Sequence, residues 1–209
     1  MKLILISPSK KLESEIGMLL NMFEQGLPTY HVRKKTFSTK QLRSYLEEIP
    51  KKYHNRIVIH THHELALRFD LKGVYISRSH RKRKIKQWFW KKWLRFRKGN
   101  LEISSGVSGL ENLLDFNDRY DYMFLAPVFD SLSGNFQSAY SDYNLLPVLK
   151  NTQYKVIARG GVSTKTIQKA HQLGFGGVAF YTSIWKSENP LNEFLLVKEK
   201  FKELQIPIE

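Results

Sequence analysis

The sequence predicts a closed (β/α)8 barrel, the TIM-barrel form of the α/β class, from three observations. Eight short runs of β-favouring residues recur along the chain, and helical patterns lie between most of them. Several of these runs are nearly continuous in apolar residues, which is typical of parallel strands covered on both faces. The length of 209 residues lies near the lower end of the size range of this barrel. An open doubly wound sheet is the alternative fold.

The predicted elements alternate regularly along the chain. Strands are expected at residues 2–6, 30–33, 57–60, 73–76, 101–104, 122–126, 155–158 and 177–181. Helices are expected at about 10–25, 38–48, 63–69, 80–96, 107–118, 142–150, 163–173 and 189–204. This alternation predicts parallel β/α units. No linker or domain-sized repeat interrupts the series, so residues 1–209 are expected to form a single domain.

The charge of the chain is unevenly distributed. The formal net charge is +15, but residues 81–98 contain ten of the Lys and Arg residues and no acid. Outside this segment, 24 basic residues face 19 acidic ones, so the fold as a whole is only mildly basic. Cys is absent, which excludes disulfides and thiolate metal sites. The apolar run at the N-terminus is too short for a signal peptide, and a cytoplasmic protein is expected.

The basic segment is predicted to form the helix after the fourth strand. Ile85, Phe89, Trp93 and Phe96 recur at steps of four, four and three, so they are expected to form one apolar stripe on the barrel. The Lys and Arg residues would then occupy a solvated face. The alternative is an anionic partner, RNA or an acidic membrane, because aromatic side chains between cations also bind such surfaces. The segment alone does not decide, and nucleic acid and membranes are the less favoured partners.

The ends of strands 7 and 8 carry candidate phosphate-binding residues, because a (β/α)8 barrel often holds phosphate there. Gly160 and Gly161 permit close backbone approach, and free N–H groups at the start of the next helix would hold a phosphate. Thr182 and Ser183 offer hydroxyl groups after strand 8. A phosphate site is therefore predicted. A simple tight turn is the alternative explanation of the two glycines.

Strand 2 and two further strand ends carry candidate anion-binding and titratable residues. His31, Arg33 and Lys35 alternate along strand 2, so their side chains are expected to point the same way. Cations at the end of a barrel strand indicate an anion, and Arg suits bidentate phosphate contact. His60 and His80, after strands 3 and 4, add titratable groups at the same rim. A solvated face and structural histidines are the alternatives.

The segment 126–143, after strand 6, is longer than a typical βα loop. It is rich in Gly, Ser and aromatic residues. Such a loop is predicted to act as a lid over an anionic ligand, and an ordinary surface excursion is the alternative.

Taken in order, these pieces resemble the thiamine-phosphate synthase family, which includes the TenI-type thiazole tautomerases. The resemblance covers nearly the whole chain and is strongest at YHVRKK, DYMFLAPVF, ARGGVSTKTI and LGFGGVAFYTSI. Family motifs on strand 2 and after strands 7 and 8 fall on His31, Arg33, Lys35, Gly160, Gly161, Tyr181 and Thr182. The resemblance implies a (β/α)8 barrel whose last two turns hold the phosphate of a thiazole phosphate.

For a synthase, the resemblance also implies hydroxymethylpyrimidine pyrophosphate as second substrate, with Mg2+ on the leaving pyrophosphate. The family's Asn-Asp pair after strand 3 falls on His60 and Thr61, and its second metal-binding Asp falls near His80. The lysine of its lid motif is missing, although Ser131 and Ser133 keep hydroxyl groups that could contact an anion. Mg2+ prefers carboxylate oxygens. Mg2+ is therefore expected only if synthase activity is retained, and no metal ligand is predicted.

For a thiazole tautomerase, the resemblance implies an acid and a base without a metal. The catalytic His of that group falls on Pro127, so His31 is the first candidate, with His60 and His80 as further candidates. We therefore expect a barrel that binds thiazole phosphate, either TenI-like or a weak synthase. The alternatives are a non-catalytic phosphate-ligand-binding barrel and an adaptor for nucleic acid or membranes through helix 81–98. The sequence leaves homo-oligomerisation open.

Overall fold

The computed structural model describes residues 1–77, 92–114, 119–130 and 140–209. Eight parallel strands close into a barrel, in which each strand pairs with its neighbours in the sequence and β8 returns to β1. The strands are β1 Lys2–Ile6, β2 Thr29–Val32, β3 Ile57–Ile59, β4 Gly73–Ile76, β5 Glu102–Val107, β6 Tyr122–Leu125, β7 Val156–Arg159 and β8 Gly177–Phe180. The predicted (β/α)8 barrel is confirmed, and every predicted strand is present.

Helices occupy the connections between the strands. They are α1 Glu15–Glu24, α2 Thr39–Glu47, α3 Leu65–Arg68, α4 at residues 92–97, α5 Glu111–Leu114, α6 Asp142–Asn151, α7 Ile167–Gln172, α8 Thr182–Trp185 and α9 Pro190–Glu203. Short 3-10 helices lie at Lys51–Arg56 and Thr164–Thr166. The last helix begins where the sequence indicates, because Asn189 Oδ1 accepts the Asn192 N–H at 3.0 Å and Pro190 occupies the first turn. No helix in these ranges is long and apolar enough to cross a membrane.

Period-two alternation sorts the strand residues into two cores. Leu3 and Leu5 of β1 belong to the core between strands and helices, together with Phe23 of α1. A second cluster fills the barrel itself and consists of Ile4, Ile6, Tyr122, Phe124, Ile157 and Ala179. Because both faces of β1 are covered, the run after Lys2 is apolar at every position. The same alternation decides which residues of each strand reach the barrel mouth.

Helix α4 corrects the predicted apolar stripe. Leu94 is fully buried, whereas Trp93 is 45% exposed and Phe96 is 88% exposed. One turn after Leu94, Lys98 Nζ donates to the carbonyl of Leu71 at 2.7 Å. The helix therefore contacts the barrel through the face that carries Leu94, which is rotated by about 100° from Trp93. The stripe prediction is wrong for Trp93 and Phe96, and its other two residues lie outside the described ranges.

A buried ion pair joins α1 to the segment that follows β2. Lys34 Nζ lies 2.6 Å from Glu15 Oε2, and both side chains are fully buried. The same ammonium donates to the carbonyl of Pro8 at 2.7 Å, in the loop after β1. Tyr30 and Tyr45 donate their hydroxyls to Glu15 Oε1 at 2.9 and 2.6 Å. All charges and hydroxyls of this cluster therefore have partners. The cluster also holds the segment after β2 beside the loop that follows β1.

Candidate functional site

His31 lies inside the barrel, as the alternation along strand 2 predicts. Its Nε2 lies 2.8 Å from Tyr122 Oη, and its Nδ1 lies 3.0 Å from His60 Nε2. Phe124 packs edge-on against the imidazole, with ring centroids 5.2 Å apart. His31 is fully buried, whereas His60 is 6% exposed at the end of β3. Tyr122, His31 and His60 thus form a line of hydrogen bonds from the barrel interior towards its mouth.

Both histidines are neutral at physiological pH. Burial lowers the pKa of His31 well below its ordinary value, and the cations Lys72 and Arg159 act in the same direction. Burial also lowers the pKa of His60, and the neighbouring His31, Arg159 and Arg33 would each disfavour a further positive charge there. Neutral imidazole carries one N–H and one bare nitrogen. Only one of the two facing nitrogens can therefore donate in the His31–His60 hydrogen bond.

Because each neutral imidazole carries one N–H, the hydrogen bonds of the line can be arranged in two forms. If His31 Nδ1 donates, His31 Nε2 accepts from the Tyr122 hydroxyl, and His60 carries its proton on Nδ1. If His60 Nε2 donates, His31 Nε2–H donates to Tyr122, and His60 Nδ1 becomes a bare acceptor. The two forms have the same net charge. The outer nitrogen of His60 can therefore act as a proton donor in one form and as a proton acceptor in the other.

Tyr75 and Arg159 continue the polar line at the mouth. The Tyr75 ring stacks on His60, with centroids 4.2 Å apart and planes inclined by 16°. Its hydroxyl lies over Gly106, where a Cβ would come within 2.6 Å of the oxygen. Arg159 ends β7 two residues after Ile157 of the interior cluster, so its side chain points inward. Tyr75 lines the same cavity and partly offsets the lowering of the Arg159 pKa by burial.

Sequence reasoning missed Arg159, Tyr75 and Tyr122. The two glycines that follow Arg159 favour a phosphate site formed by backbone N–H groups, and this interpretation leaves the arginine side chain out. The period-two spacing from Ile157 was nevertheless available and could have found Arg159, as it found His31 and Arg33 on strand 2.

A cavity of about 240 Å3 opens between the ends of β4, β5, β6 and β7. Its walls include Tyr75, Gly106, Ser108, Asn112, Phe124 and Arg159. Two aromatic rings, an amide, a hydroxyl and a half-buried guanidinium therefore converge on one small space. A larger groove of about 890 Å3 lies on the outer surface beside the 3-10 helix Lys51–Arg56 and contains none of these side chains. The cavity at the strand ends is the better candidate site, because its polar groups converge.

The cations of strand 2 lie at the same mouth. Arg33 is half-buried, Lys35 is exposed, and the Arg33 N–H donates to Ser7 Oγ at 2.8 Å. The charge of Arg33 lowers the pKa of Lys35, and burial and Arg159 lower it further. Burial lowers the pKa of Arg159, which Tyr75 partly offsets and Arg33 reinforces. These groups therefore form a concentrated positive region that favours an anionic ligand.

The turn after β7 has a structural reason for both of its glycines. Gly160 has φ +89° and Gly161 has φ +66°, a region that side chains rarely adopt. A Cβ on Gly161 would lie 2.2 Å from the carbonyl oxygen of Asp130. The N–H of Phe129 donates to the Gly160 carbonyl at 3.1 Å. The close approach of segment 127–130 therefore explains the glycines, and their role in phosphate binding stays a prediction.

The turns after β7 and β8 are joined to each other. Ser183 Oγ donates to the carbonyl of Val162 at 2.8 Å, so this hydroxyl is engaged within the protein. Tyr181 packs partly buried against the interior cluster, and Thr182 begins α8 directly after it. The N–H of Ser163 donates to Thr166 Oγ1 at 2.9 Å, which uses one of the N–H groups expected for an anion. Thr182 is thus the better hydroxyl candidate of the two.

The structure brings most of the predicted site residues to one end of the barrel. His31, His60, Arg33 and Lys35 surround the mouth. Gly160, Gly161, Tyr181 and Thr182 form the neighbouring turns. His80, Ser131 and Ser133 lie outside the described residues, as does most of the predicted lid. The catalytic and binding roles assigned to these residues stay predictions.

Comparisons with known proteins agree with this arrangement. The model of the family described as thiamine monophosphate synthase matches residues 3–184. No curated protein sequence matches the chain significantly.

Several solved structures share the fold. The thiamine phosphate pyrophosphorylase from Bacteroides thetaiotaomicron is 23% identical with a TM-score of 0.75, over 97% of this chain and 98% of that one. The thiamine phosphate pyrophosphorylase from Pyrococcus furiosus is 17% identical with a TM-score of 0.76, over 97% and 96%. The 3-hexulose-6-phosphate synthase from Salmonella typhimurium is 13% identical with a TM-score of 0.66, over 99% and 100%.

Proposed function

Because the chain belongs to the thiamine monophosphate synthase family, we propose that it binds a phosphorylated thiazole and moves protons on the thiazole ring. The observation that carries this proposal is the line of hydrogen bonds from Tyr122 through His31 to His60. It ends at His60 at the barrel mouth, and the family resemblance places a phosphate at two other strand ends of the same mouth. The proposed activity is therefore acid–base chemistry of the tautomerase type, and a cytoplasmic location belongs to the same proposal.

The phosphate of the ligand is assigned to the turns after β7 and β8. Gly161 and Thr182 are the proposed contacts, through backbone N–H groups and the Thr182 hydroxyl, with Gly160 and Tyr181 shaping the turns. The ring of the ligand is assigned to the neighbouring cavity, where Tyr75 and Phe124 offer aromatic surfaces. A cavity of about 240 Å3 suits one small ring rather than a large substrate.

His60 is the proposed acid–base group, with His31 acting through it. His31 has both ring nitrogens engaged and no exposed surface, so direct contact with a ligand is excluded in this arrangement. His60 reaches the mouth, and the position of the shared proton sets whether its outer nitrogen gives or takes a proton. Acid–base catalysis by such a group typically contributes about 10²- to 10⁴-fold to a rate. Tyr122 and His31 are positioning residues in this scheme.

A second candidate function is a divergent synthase that also binds a pyrophosphate ester. The cations Arg33, Lys35 and Arg159 favour it, because they give the mouth more positive charge than one phosphate requires. The family binds pyrimidine and thiazole phosphate substrates. The proton-transfer proposal explains the buried histidines, and the synthase candidate explains the cations.

The family-implied Mg2+ does not fit the residues of the mouth. His60 and Thr61 stand where the resemblance places the Asn-Asp pair, and Thr61 Oγ1 is buried without a hydrogen-bond partner. Within the described ranges, no group of three or more His, Cys, Asp or Glu side chains could hold a metal ion. Neutral imidazoles, a hydroxyl and guanidiniums are poor ligands for a cation that prefers carboxylate oxygens. We therefore derive no step through Mg2+.

The proposed function is tested by binding and proton exchange. Titration calorimetry with thiazole phosphate should show binding to the wild-type protein. In D2O, 1H NMR should show the ring-bound proton of the ligand exchanging faster with enzyme than in buffer alone. His60→Gln should abolish the exchange and keep the binding. An unchanged exchange rate in His60→Gln would rule out His60 as the acid–base group, and binding without exchange would favour a non-catalytic barrel.

A further inference from the structure

Arg159 is a half-buried cation that has no acidic partner in the described structure. Its side chain points into the barrel from the last residue of β7 and lines the cavity at the strand ends. None of the carboxylates in residues 1–77, 92–114, 119–130 and 140–209 forms an ion pair with Arg159, Arg33 or Lys35. Partial burial lowers the pKa of the guanidinium, as expected where no counter-ion offsets the loss of water. The position can therefore accept an anion that a ligand supplies.

The surroundings of Arg159 are positive on the other sides as well. Arg33 lowers the pKa of Arg159, and both arginines lower the pKa of His60. A divalent metal ion placed here would meet cations and neutral imidazoles instead of carboxylates. At this mouth, protein cations therefore stand where the family resemblance implies a metal ion.

We propose that Arg159, together with Arg33 and Lys35, binds the pyrophosphate group of a pyrophosphate ester directly, without a divalent metal ion. Arg159 provides a planar fork of N–H donors that can contact two oxygens at once. Tyr75 lines the same cavity as the fork, and its ring is held against His60. This inference rests on the proposed ligand site, and it defines the class of its second ligand.

Geometry separates this anion site from the phosphate turns. The turns offer backbone N–H groups and the Thr182 hydroxyl, whereas Arg159 points inward beneath them, over Ile157 of the interior cluster. The cavity that Arg159 lines is also walled by Tyr75, Phe124 and Gly106, and its volume of about 240 Å3 suits one small ring. A ligand with a single phosphate can occupy the turns and leave Arg159 without a partner. A pyrophosphate group carries more negative charge and would provide Arg159 with a counter-ion.

The test is calorimetric titration with pyrophosphate and with inorganic phosphate, first in EDTA and then in Mg2+. The wild-type protein should bind pyrophosphate in EDTA, at least ten-fold more tightly than phosphate. Arg159→Gln should lose at least ten-fold in pyrophosphate affinity, and Arg159→Lys should lose less, because Lys keeps the charge without the fork. Arg119→Gln is the matched control. Arg119 is exposed near the start of β6, at the opposite end of the barrel, and loses the same charge.

Two results would overturn the inference. One is pyrophosphate binding that requires Mg2+, and the other is an equal loss of affinity in Arg159→Gln and Arg119→Gln. If Arg159→Gln does not fold, Tyr75→Phe decides in its place, because it keeps the ring on His60 and removes the hydroxyl that shares the cavity with Arg159 and partly offsets its lowered pKa. Titration with thiazole phosphate runs beside these measurements. Failure to bind thiazole phosphate contradicts the proposed function, while the pyrophosphate titrations still decide this inference.

Discussion

Lys34 Nζ and Glu15 Oε2 lie 2.6 Å apart with both side chains fully buried between β2 and α1. The ammonium also donates to the loop after β1, and two tyrosine hydroxyls donate to the carboxylate. The adjacent residues Arg33 and Lys35, which follow β2, are the proposed anion-binding cations. The buried pair therefore fixes the strand from which the mouth receives two of its cations.

Replacing Lys34 with Met should destabilise the protein strongly. Removing one partner of a buried ion pair leaves an uncompensated charge, at a typical cost of about 3–5 kcal/mol. Urea unfolding followed by circular dichroism measures the change. Lys11→Met is the matched control, because Lys11 pairs with Glu48 on the surface at 2.6 Å and should change stability by less than about 1 kcal/mol. Equal effects of the two substitutions would contradict the buried arrangement.

Stability should fall as the pH is lowered below the ordinary histidine pKa of 6.5. In the folded protein the pKa values of His31 and His60 lie well below that value, so the unfolded chain takes up protons first. Each proton taken up only by the unfolded chain costs about 1.4 kcal/mol per pH unit. Urea midpoints between pH 8 and 5 should show full stability above 6.5 and a decline below it.

Two matched variants test whether the buried histidines cause this pH dependence of the urea midpoint. His31→Gln should flatten the pH dependence of the urea midpoint, since one buried imidazole no longer resists protonation. His171→Gln changes an exposed residue of α7 and should leave the slope as it is. A slope that is the same in all three proteins would show that the buried histidines do not cause it.

Thr182→Val should weaken phosphate binding while leaving stability nearly unchanged. A hydrogen bond to a charged group contributes about 1.5–3 kcal/mol, which is about ten-fold or more in affinity. Titration calorimetry with inorganic phosphate measures the loss. Gly161→Asp would be a poorer test, because any Cβ there would lie 2.2 Å from the Asp130 carbonyl oxygen and disturb the fold itself. Unchanged affinity in Thr182→Val would show that the phosphate does not bind at the start of α8.

The exposed aromatics of α4 should contribute little to stability. Leu94→Ala should cost about 2–5 kcal/mol, since Leu94 is fully buried. Phe96→Ser should change the free energy of unfolding by less than about 0.5 kcal/mol, because Phe96 is 88% exposed. Thermal unfolding of both variants compares them directly. A large loss from Phe96→Ser would mean that another surface covers this residue in solution.

Mg2+-dependent synthesis of thiamine phosphate should be slow. Among the described residues, no group of acidic side chains could hold Mg2+, and losing a preorganised electrostatic contact typically costs about 2.7–4 kcal/mol of barrier. Purified protein with both substrates, with and without EDTA, measures the rate. Turnover at ordinary synthase rates that EDTA abolishes would show that another residue binds the metal.

The strand pattern was readable from the sequence because alternation is local. The two-sided burial of β1 follows from its continuous apolar run, and the inward direction of His31 follows from the spacing along β2. Contacts between distant residues were not readable. His31 and Tyr122 are 91 positions apart, and only the closed barrel brings them to 2.8 Å. Helix α4 offered two faces of similar apolar character, and packing selected the one with Leu94.

The line of Tyr122, His31 and His60 can reverse its polarity without a buried ion. An imidazolium at this depth would carry the solvation penalty of a charge in a low-dielectric interior. Tyr122 keeps its own proton in both forms, and the reversal needs only the N–H of each imidazole to move to the other nitrogen of the same ring. The barrel interior thus has two neutral tautomeric states of opposite dipole, and acid–base chemistry at His60 in a closed mouth is limited to reactions that return the proton to the ligand.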